Sequence, residues 1–295
     1  MKTGFVGAGK VGFTLGKFFR EQGKQVAGYY SRNTESAEEA AQFTETAAYA
    51  TLAELVQDSD VLFLTVPDSS ITSVYEEIRR YPIRGKYICH CSGALSSEAA
   101  FPGIDSTGAY EYSVHPLFAV SDKYHAYQEL PDVFFTIEGQ QDHLEELRSM
   151  LTNMGLTVKS IDPAAKTLYH AAAVMASNLV TGLLAEAANV FVQSGAVEDT
   201  QEALAAMESL IRGNVEHVLR EGPAASLTGP VERGDDGTVR KHLAVLRENE
   251  RKLYTALSQS LVALAEQKHP DRSYETIKEL LSKAGEETRN RGGNH

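Results

Sequence analysis

The run Gly7-Ala8-Gly9-Lys10-Val11-Gly12 constrains this chain more than any other stretch of its 295 residues. The spacing is G-x-G-x-x-G. It leaves a β-rich segment at residues 4–6 and opens an amphipathic helical pattern at residues 11–22. In a strand-to-helix turn of this kind, Gly7 permits the tight turn and Gly9 lets a ligand approach the backbone. Gly12 lets the helix pack close to a sheet. The unpaired N–H groups of the helix N-terminus, around Lys10 and Val11, then offer a site to an anion. In this setting that anion is the pyrophosphate of a dinucleotide.

The rest of the first half repeats the alternation. Further β-rich runs occur at residues 25–30, 61–66, 87–89 and 133–137, with helical patterns between several of them, as at 35–42 and 71–80. A last strand is expected at 156–161, after a helix over 141–154. Such alternation implies βαβ units and a largely parallel sheet. From Pro163 the pattern changes. Pro163 suits the first turn of a helix with Asp162 as its cap. Alanine-rich sequence runs on to Ser194, where Gly195 is a natural stop, and helical segments follow near 200–220, 238–249, 251–268 and 273–283. The expected fold class is therefore α/β. A Rossmann dinucleotide-binding domain spans 1–162, and an all-helical substrate and dimerisation domain spans 163–295. The polar tail at 289–295 is expected to fray.

Composition narrows the partners. Lys plus Arg number 28 against 40 Asp plus Glu, a formal charge of −12, so the basic footprint that nucleic-acid binding needs is missing. The most apolar stretch, 171–185, contains Ser177, Asn178, Thr181 and Gly182 and reads as too short and too polar to span a bilayer. The N-terminus has neither the apolar core nor the cleavage site of a signal peptide. With two cysteines, Cys89 and Cys91, no disulfide framework is expected and a reducing cytoplasm fits. Cys89-His90-Cys91 lacks the second ligand pair of a structural zinc site, so no metal is expected.

The end of the second β-rich run refines the cofactor. An NAD site usually has Asp or Glu there to hold the ribose hydroxyls. Here the sequence is Tyr30-Ser31-Arg32-Asn33. Ser31 and Arg32 suit a 2′-phosphate that a carboxylate would repel, so NADP (as NADPH) is expected in preference to NAD. Asn33 doubles as a candidate helix cap. The next loop, Val66-Pro67-Asp68, belongs to the same expected cofactor site, with Asp68 or Ser69 also able to cap the following helix.

Three segments carry candidates for the chemistry. His115, before Pro116, sits in extended or turn backbone and could protonate an oxygen or nitrogen while hydride is delivered. Ser92, before Gly93, could bring a hydroxyl near a substrate, or could simply form a turn. On the first helix after Pro163, Lys166, His170, Ser177 and Thr181 fall on one stripe, flanked by Asn178. A stripe this poor in Asp, Glu and Lys fits a cleft wall or a tight helix pair better than a solvent face. Arg233, in the glycine-rich loop 227–238, could hold a substrate carboxylate or pair with Asp235 or Asp236.

Taken together, Gly7 to Gly12, Ser92-Gly93-Ala94-Leu95-Ser96, His115-Pro116-Leu117, Tyr169-His170-Ala171-Ala172 with Ser177-Asn178, and Thr228-Gly229-Pro230 with Arg233-Gly234-Asp235 resemble a bacterial family of Rossmann-like proteins. That family has an uncharacterised C-terminal helical domain. It stands with the 6-phosphogluconate dehydrogenase-like enzymes, among them pyrroline-5-carboxylate, ketopantoate and prephenate-type enzymes. The resemblance implies NAD(P)-dependent redox chemistry and a helical domain used for dimerisation. It names no substrate. The Lys-x-x-x-Asn pattern of the hydroxyacid dehydrogenases becomes Lys166 and His170 here, so their mechanism does not transfer directly. The expectation is an NADP-dependent oxidoreductase acting on a small carbonyl, imine or hydroxy acid in a cleft between two domains, as a homodimer through the helical half. His170 ranks first as proton donor, followed by His115 and Lys166, with Asn178, Ser92 and Arg233 orienting the substrate. A non-catalytic NADP-binding sensor is the alternative.

Overall fold

Strands form where short apolar runs can bury both faces. The structure, a computed structural model, describes residues 1–292 and divides into two units, Met1–Ala176 and Ser177–His295. In the first unit, β1 (Thr3–Val6), β2 (Val26–Tyr30), β3 (Ala47–Ala48), β4 (Val61–Leu64), β5 (Tyr87–His90), β6 (Tyr110–Pro116), β7 (Phe134–Gly139) and β8 (Thr157–Ser160) make one sheet. Its order is β3-β2-β1-β4-β5-β6-β7-β8. Every neighbouring pair is parallel except β6 with β7. Helices α1 (Lys10–Glu21), α2 (Thr34–Thr44), α3 (Leu52–Gln57), α4 (Asp68–Ile78), α5 (Ser97–Ala100), α6 (Leu144–Thr152) and α7 (Lys166–Ala176) complete the unit.

Alternation along the strands divides the core. Phe5, Tyr29 and Phe63 stack on one face with Phe13, Phe19, Leu147 and Leu151. Val6, Leu62, Leu64 and Ile88 bury the other face against Leu55, Ile71 and Ile78. Strand order reverses on either side of β1 and β4. The crevice at their carboxyl ends is where an open α/β sheet accepts a ligand.

Two strands escaped the sequence reading. The two-residue β3 has no pattern to detect. β6 does, because Tyr110, Tyr112 and Val114 alternate with Glu111, Ser113 and His115, the period-two signature of a strand. His115, expected in extended or turn backbone, lies in extended backbone at the end of β6.

The second unit is helical: α8 (Asn178–Gln193), α9 (Thr200–Glu221), α10 (Pro223–Ser226), α11 (Pro230–Arg233), α12 (Asp236–Val245), α13 (Glu248–Lys268) and α14 (Glu275–Gly292). Val231, Val239, Leu243, Val262, Tyr274, Ile277 and Leu281 form its core. The stretch expected to be a loop at 227–238 contains α11. Asp235 caps α12 by accepting from the backbone N–H of Thr238 at 2.9 Å and from its hydroxyl at 2.7 Å. No strand follows β8 among the described residues. The expected frayed tail is helical as far as Gly292, and its remainder, 293–295, lies outside the described residues.

The expected boundary at 162 marks the end of the sheet, but the units divide at 176. The physical reason is that α7 is tied to the sheet through the buried side chain of Lys166. The expected continuous helix also breaks at Ser177, whose backbone leaves helical geometry (φ −126°, ψ −78°). The polar stripe is therefore split, with Lys166 and His170 on α7 and Thr181 on α8. Within the 31-residue segment Pro163–Gln193, one 18-residue window has a mean hydropathy of 1.4 and is 6% buried, long and apolar enough to cross a membrane by length and composition only.

Candidate functional site

The turn after β1 is built by hydrogen bonds that glycine alone allows. Gly7 has φ +102°, and a Cβ there would stand 2.8 Å from the carbonyl oxygen of Thr65. Its N–H donates to the Tyr30 carbonyl at 2.8 Å, and its carbonyl accepts from the Thr65 hydroxyl at 2.8 Å. Gly9 caps α1 without a side-chain acceptor, which leaves the first N–H groups of the helix open to an anion. A Cβ on Gly12 would meet the Thr65 side chain and stand 2.7 Å from the Gly7 carbonyl. Gly12 therefore holds α1 close to the sheet.

Around this turn lies a groove of about 330 Å³ lined by Gly7, Ala8, Gly9, Ser31, Arg32, Asn33, Val66 and Pro67, and also by Tyr30, Thr65, Ser70 and Ser73. Arg32 is exposed at its edge. Glu77 is the one acidic side chain in the lining. The open backbone at Gly9, the helix N-terminus and Arg32 fit the pyrophosphate and 2′-phosphate of NADP. Asn33 also caps α2, accepting from the Ser36 N–H at 3.3 Å. Lys10, Val11 and Gly12 open α1 outside the lining. Asp68 is outside it too. It does not cap α4, whose N-cap is Pro67 with no side-chain bond. Instead its carboxylate accepts from the Ser92 hydroxyl at 2.7 Å.

That bond redefines Ser92, which is buried. Its hydroxyl oxygen also accepts from the N–H groups of Ala94 and Leu95 at 3.2 and 3.1 Å, and its own N–H donates to Nδ1 of His90 at 3.1 Å. Ser92 knots the loop after β5, and its hydroxyl is fully engaged there rather than presented to a substrate. His90 is fully buried. Burial first, then the positive charge of Lys166, lower its pKa to about 3, so it is neutral.

Gly93 follows, between two imidazoles. A Cβ at Gly93 would stand 2.8 Å from Nε2 of His115 and 2.8 Å from Cδ2 of His170. His115, at the end of β6, meets Tyr169 of α7, with Nδ1 2.8 Å from the phenol oxygen. The first unit thus brings together His115, His170, Gly93 and Tyr169. Burial, followed by Lys166 and His170, pulls the His115 pKa down to about 4, against an opposing pull from Asp68. His115 is therefore neutral near pH 7. Burial raises the Tyr169 phenol, which stays protonated. Tyr169 falls in the Tyr169-His170-Ala171-Ala172 motif, three residues after Lys166 and next to His170, and that position is the sequence signal for it.

Lys166 is not a free cation. It is enclosed, donating to the Ser113 hydroxyl and pairing with Glu138 at 3.2 Å. Burial lowers its pKa, and Glu138 opposes that shift. It is therefore withdrawn from substrate and does not hold an external anion. Asn178 and Arg233 belong to the second unit, where both are exposed. Among the described residues no group of three or more His, Cys, Asp or Glu is arranged to hold a metal, and Cys89 and Cys91 are free thiols.

Residues 1–116 match the Rossmann-like domain family, and residues 133–261 match the family described as a domain of unknown function, DUF2520. No curated protein matches the chain. A Thermotoga maritima protein is 28% identical with a TM-score of 0.71, the match covering 90% of this chain and 99% of that one. A Bacteroides fragilis protein described as a candidate NADP oxidoreductase is 23% identical, with a TM-score of 0.68 and coverage of 89% and 98%. The imine reductase of Myxococcus stipitatus, solved with NADP+, is 18% identical, with a TM-score of 0.59 and coverage of 90% and 93%. The two halves of the chain thus each match a family model, and the chain shares its fold with the Bacteroides fragilis and Myxococcus stipitatus proteins.

Proposed function

We propose that the chain is an NADP-dependent oxidoreductase that reduces a small carbonyl or imine, with Tyr169 and His115 handling the proton. One observation carries this reading. The sheet that forms the dinucleotide cradle also places a buried-edge histidine 2.8 Å from a protonated phenol. When bound, NADPH supplies the hydride. Gly9 and the N-terminus of α1 hold the pyrophosphate, and Ser31 and Arg32 hold the 2′-phosphate. Hydride arrival leaves a developing oxyanion or a basic nitrogen, which the Tyr169 O–H protonates. Neutral His115 hydrogen-bonds the phenol and stabilises the phenolate as it forms. His170, beside Gly93, contacts the substrate. The relatives' names support the reading: one is a candidate NADP oxidoreductase and another an imine reductase solved with NADP+.

A second copy of the chain completes the proposal. Among the described residues, α8 buries Ala188 alone and α9 buries Ala203 alone. Leu179, Leu183, Leu210, Val215 and Leu219 are exposed. Helices with so little burial are marginal in water, and a homodimer through the helical half covers this surface. A dimer also accounts for the apolar Pro163–Gln193 stretch without a membrane. A cytoplasmic location, supported by the two free thiols, belongs to the same reading. Fluorescence titration of the purified protein with NADPH and NADH tests the cofactor assignment: saturable binding with NADPH the tighter ligand supports it, and binding of neither contradicts it.

A further inference from the structure

Two rungs join α7 to β6. On the strand, Ser113 and His115 are two residues apart and share a face. On the helix, Lys166, Tyr169 and His170 are at i, i+3 and i+4 and share a face. Lys166 bonds Ser113, and Tyr169 bonds His115 at 2.8 Å. The spacings correspond: three residues of helix rise about 4.5 Å, two residues of strand about 6.7 Å, and the flexible lysine stem spans the difference. The lower rung is anchored further. Glu138 lies directly across from Ser113 in the β6–β7 pair. Its two oxygens accept from the N–H and the hydroxyl of Ser97, each at 3.0 Å, and it pairs with Lys166 at 3.2 Å. Both charged side chains are at most 2% exposed.

A buried pair is weak evidence for stability, since desolvating two charges offsets most of their attraction. What the pair does do is fix geometry. We propose that Lys166 is a positioning residue: held by Ser113 and Glu138, it sets the face of α7 that carries Tyr169 and His170 against the end of β6 that carries His115. This rests on reading Tyr169 and His115 as the proton-handling pair, and it assigns the one lysine of α7 a role without substrate contact. Its charge also acts on His115. The charged and titratable groups facing His115 are Lys166, Tyr169 and His170 from α7, Asp68 from α4, and His90 from β5.

The test needs neither substrate nor turnover, so it stands apart from whether the function is correct. The His115 imidazole is titrated by NMR in the full chain, and its ring contact with Tyr169 is followed in the same spectra. The variants are Lys166→Arg, Lys166→Met and the charge-neutral double variant Lys166→Met with Glu138→Gln. The double variant leaves no buried carboxylate unpaired, so it retains the fold if the single Met variant does not. Lys166→Arg should keep the His115 midpoint near about 4 and preserve the Tyr169 contact. The double variant should bind NADPH as the wild type does, lose the Tyr169 contact and raise the His115 midpoint by the smaller part that Lys166 contributes beside burial. A folded double variant that keeps the Tyr169 contact, whatever its His115 midpoint, would overturn the proposal.

Discussion

The Tyr169 phenol oxygen lies 2.8 Å from Nδ1 of His115, and the two rings meet edge to face with centroids 5.6 Å apart. The residues are 54 positions apart in sequence, one on α7 and the other on β6. With burial holding His115 neutral and Tyr169 protonated, the acidic proton at this contact near pH 7 belongs to a neutral group. On the proposed reading Tyr169 therefore supplies the proton, and neutral His115, ranked second after His170 as donor from the sequence, assists it.

On the proposed reading, Arg32 sets the cofactor choice by holding the 2′-phosphate. Replacing it with Ala removes a charge-assisted contact of about 1.5–3 kcal/mol, equivalent to roughly ten- to a hundredfold in affinity. Arg32→Ala should weaken NADPH by that factor and leave NADH nearly unchanged, as read by fluorescence titration. An equal loss for both cofactors would place Arg32 outside the 2′-phosphate site.

On the proposed reading, substitutions at Gly93 and Gly12 separate chemistry from cofactor binding. Gly93→Ala places a methyl group 2.8 Å from both His115 and His170, so turnover should fall while NADPH affinity holds. Gly12→Val drives a side chain into Thr65 and the Gly7 carbonyl. Overpacking of that kind costs roughly 1–3 kcal/mol, so chemical denaturation should show lost stability and titration should show weakened NADPH. Gly12→Val with wild-type stability and affinity would refute the close approach of α1.

Much of this was legible in the chain. The glycine run, its flanking strand and helix, and Ser31-Arg32 announced the groove, because each acts through local backbone or charge. β6 was legible too, in the alternation of Tyr110, Tyr112 and Val114. The fates of Lys166 and Ser92 were not legible. Lysine burial depends on Glu138 and Ser113, which reach it only through the β6–β7 pairing, and the Ser92 hydroxyl is engaged by Asp68 across two loops. Non-local partners of this kind leave no periodic trace.

Acid should destabilise the protein in a definite window. His115 and His90 have folded pKa values of about 4 and about 3, below the ordinary value of about 6.5. Between those limits the unfolded chain binds more protons than the folded one. Stability is unaffected by these groups above the ordinary value and falls as pH drops through the window. Urea denaturation across roughly pH 7 to 4 should show this loss, shallower in His115→Asn and in His90→Asn. Identical slopes in all three proteins would contradict the depressed values.

Assembly is tested by sedimentation at micromolar concentration. The wild type should be a dimer, and Leu210→Glu with Leu219→Glu, on the exposed face of α9, should shift it toward monomer. A wild-type monomer with or without NADPH would remove the second copy from the account.

The central claim is that this fold transfers hydride while Tyr169 supplies the proton. Its direct test is steady-state NADPH oxidation against a panel of small ketones, 2-oxo acids and preformed imines, run in parallel on wild type and Tyr169→Phe. The account predicts turnover of at least one of these classes by the wild type. In Tyr169→Phe it predicts kcat lower by about 10²–10⁴ with an unchanged NADPH Kd. NADPH binding without oxidation of any panel member, or wild-type kcat in Tyr169→Phe, would contradict it.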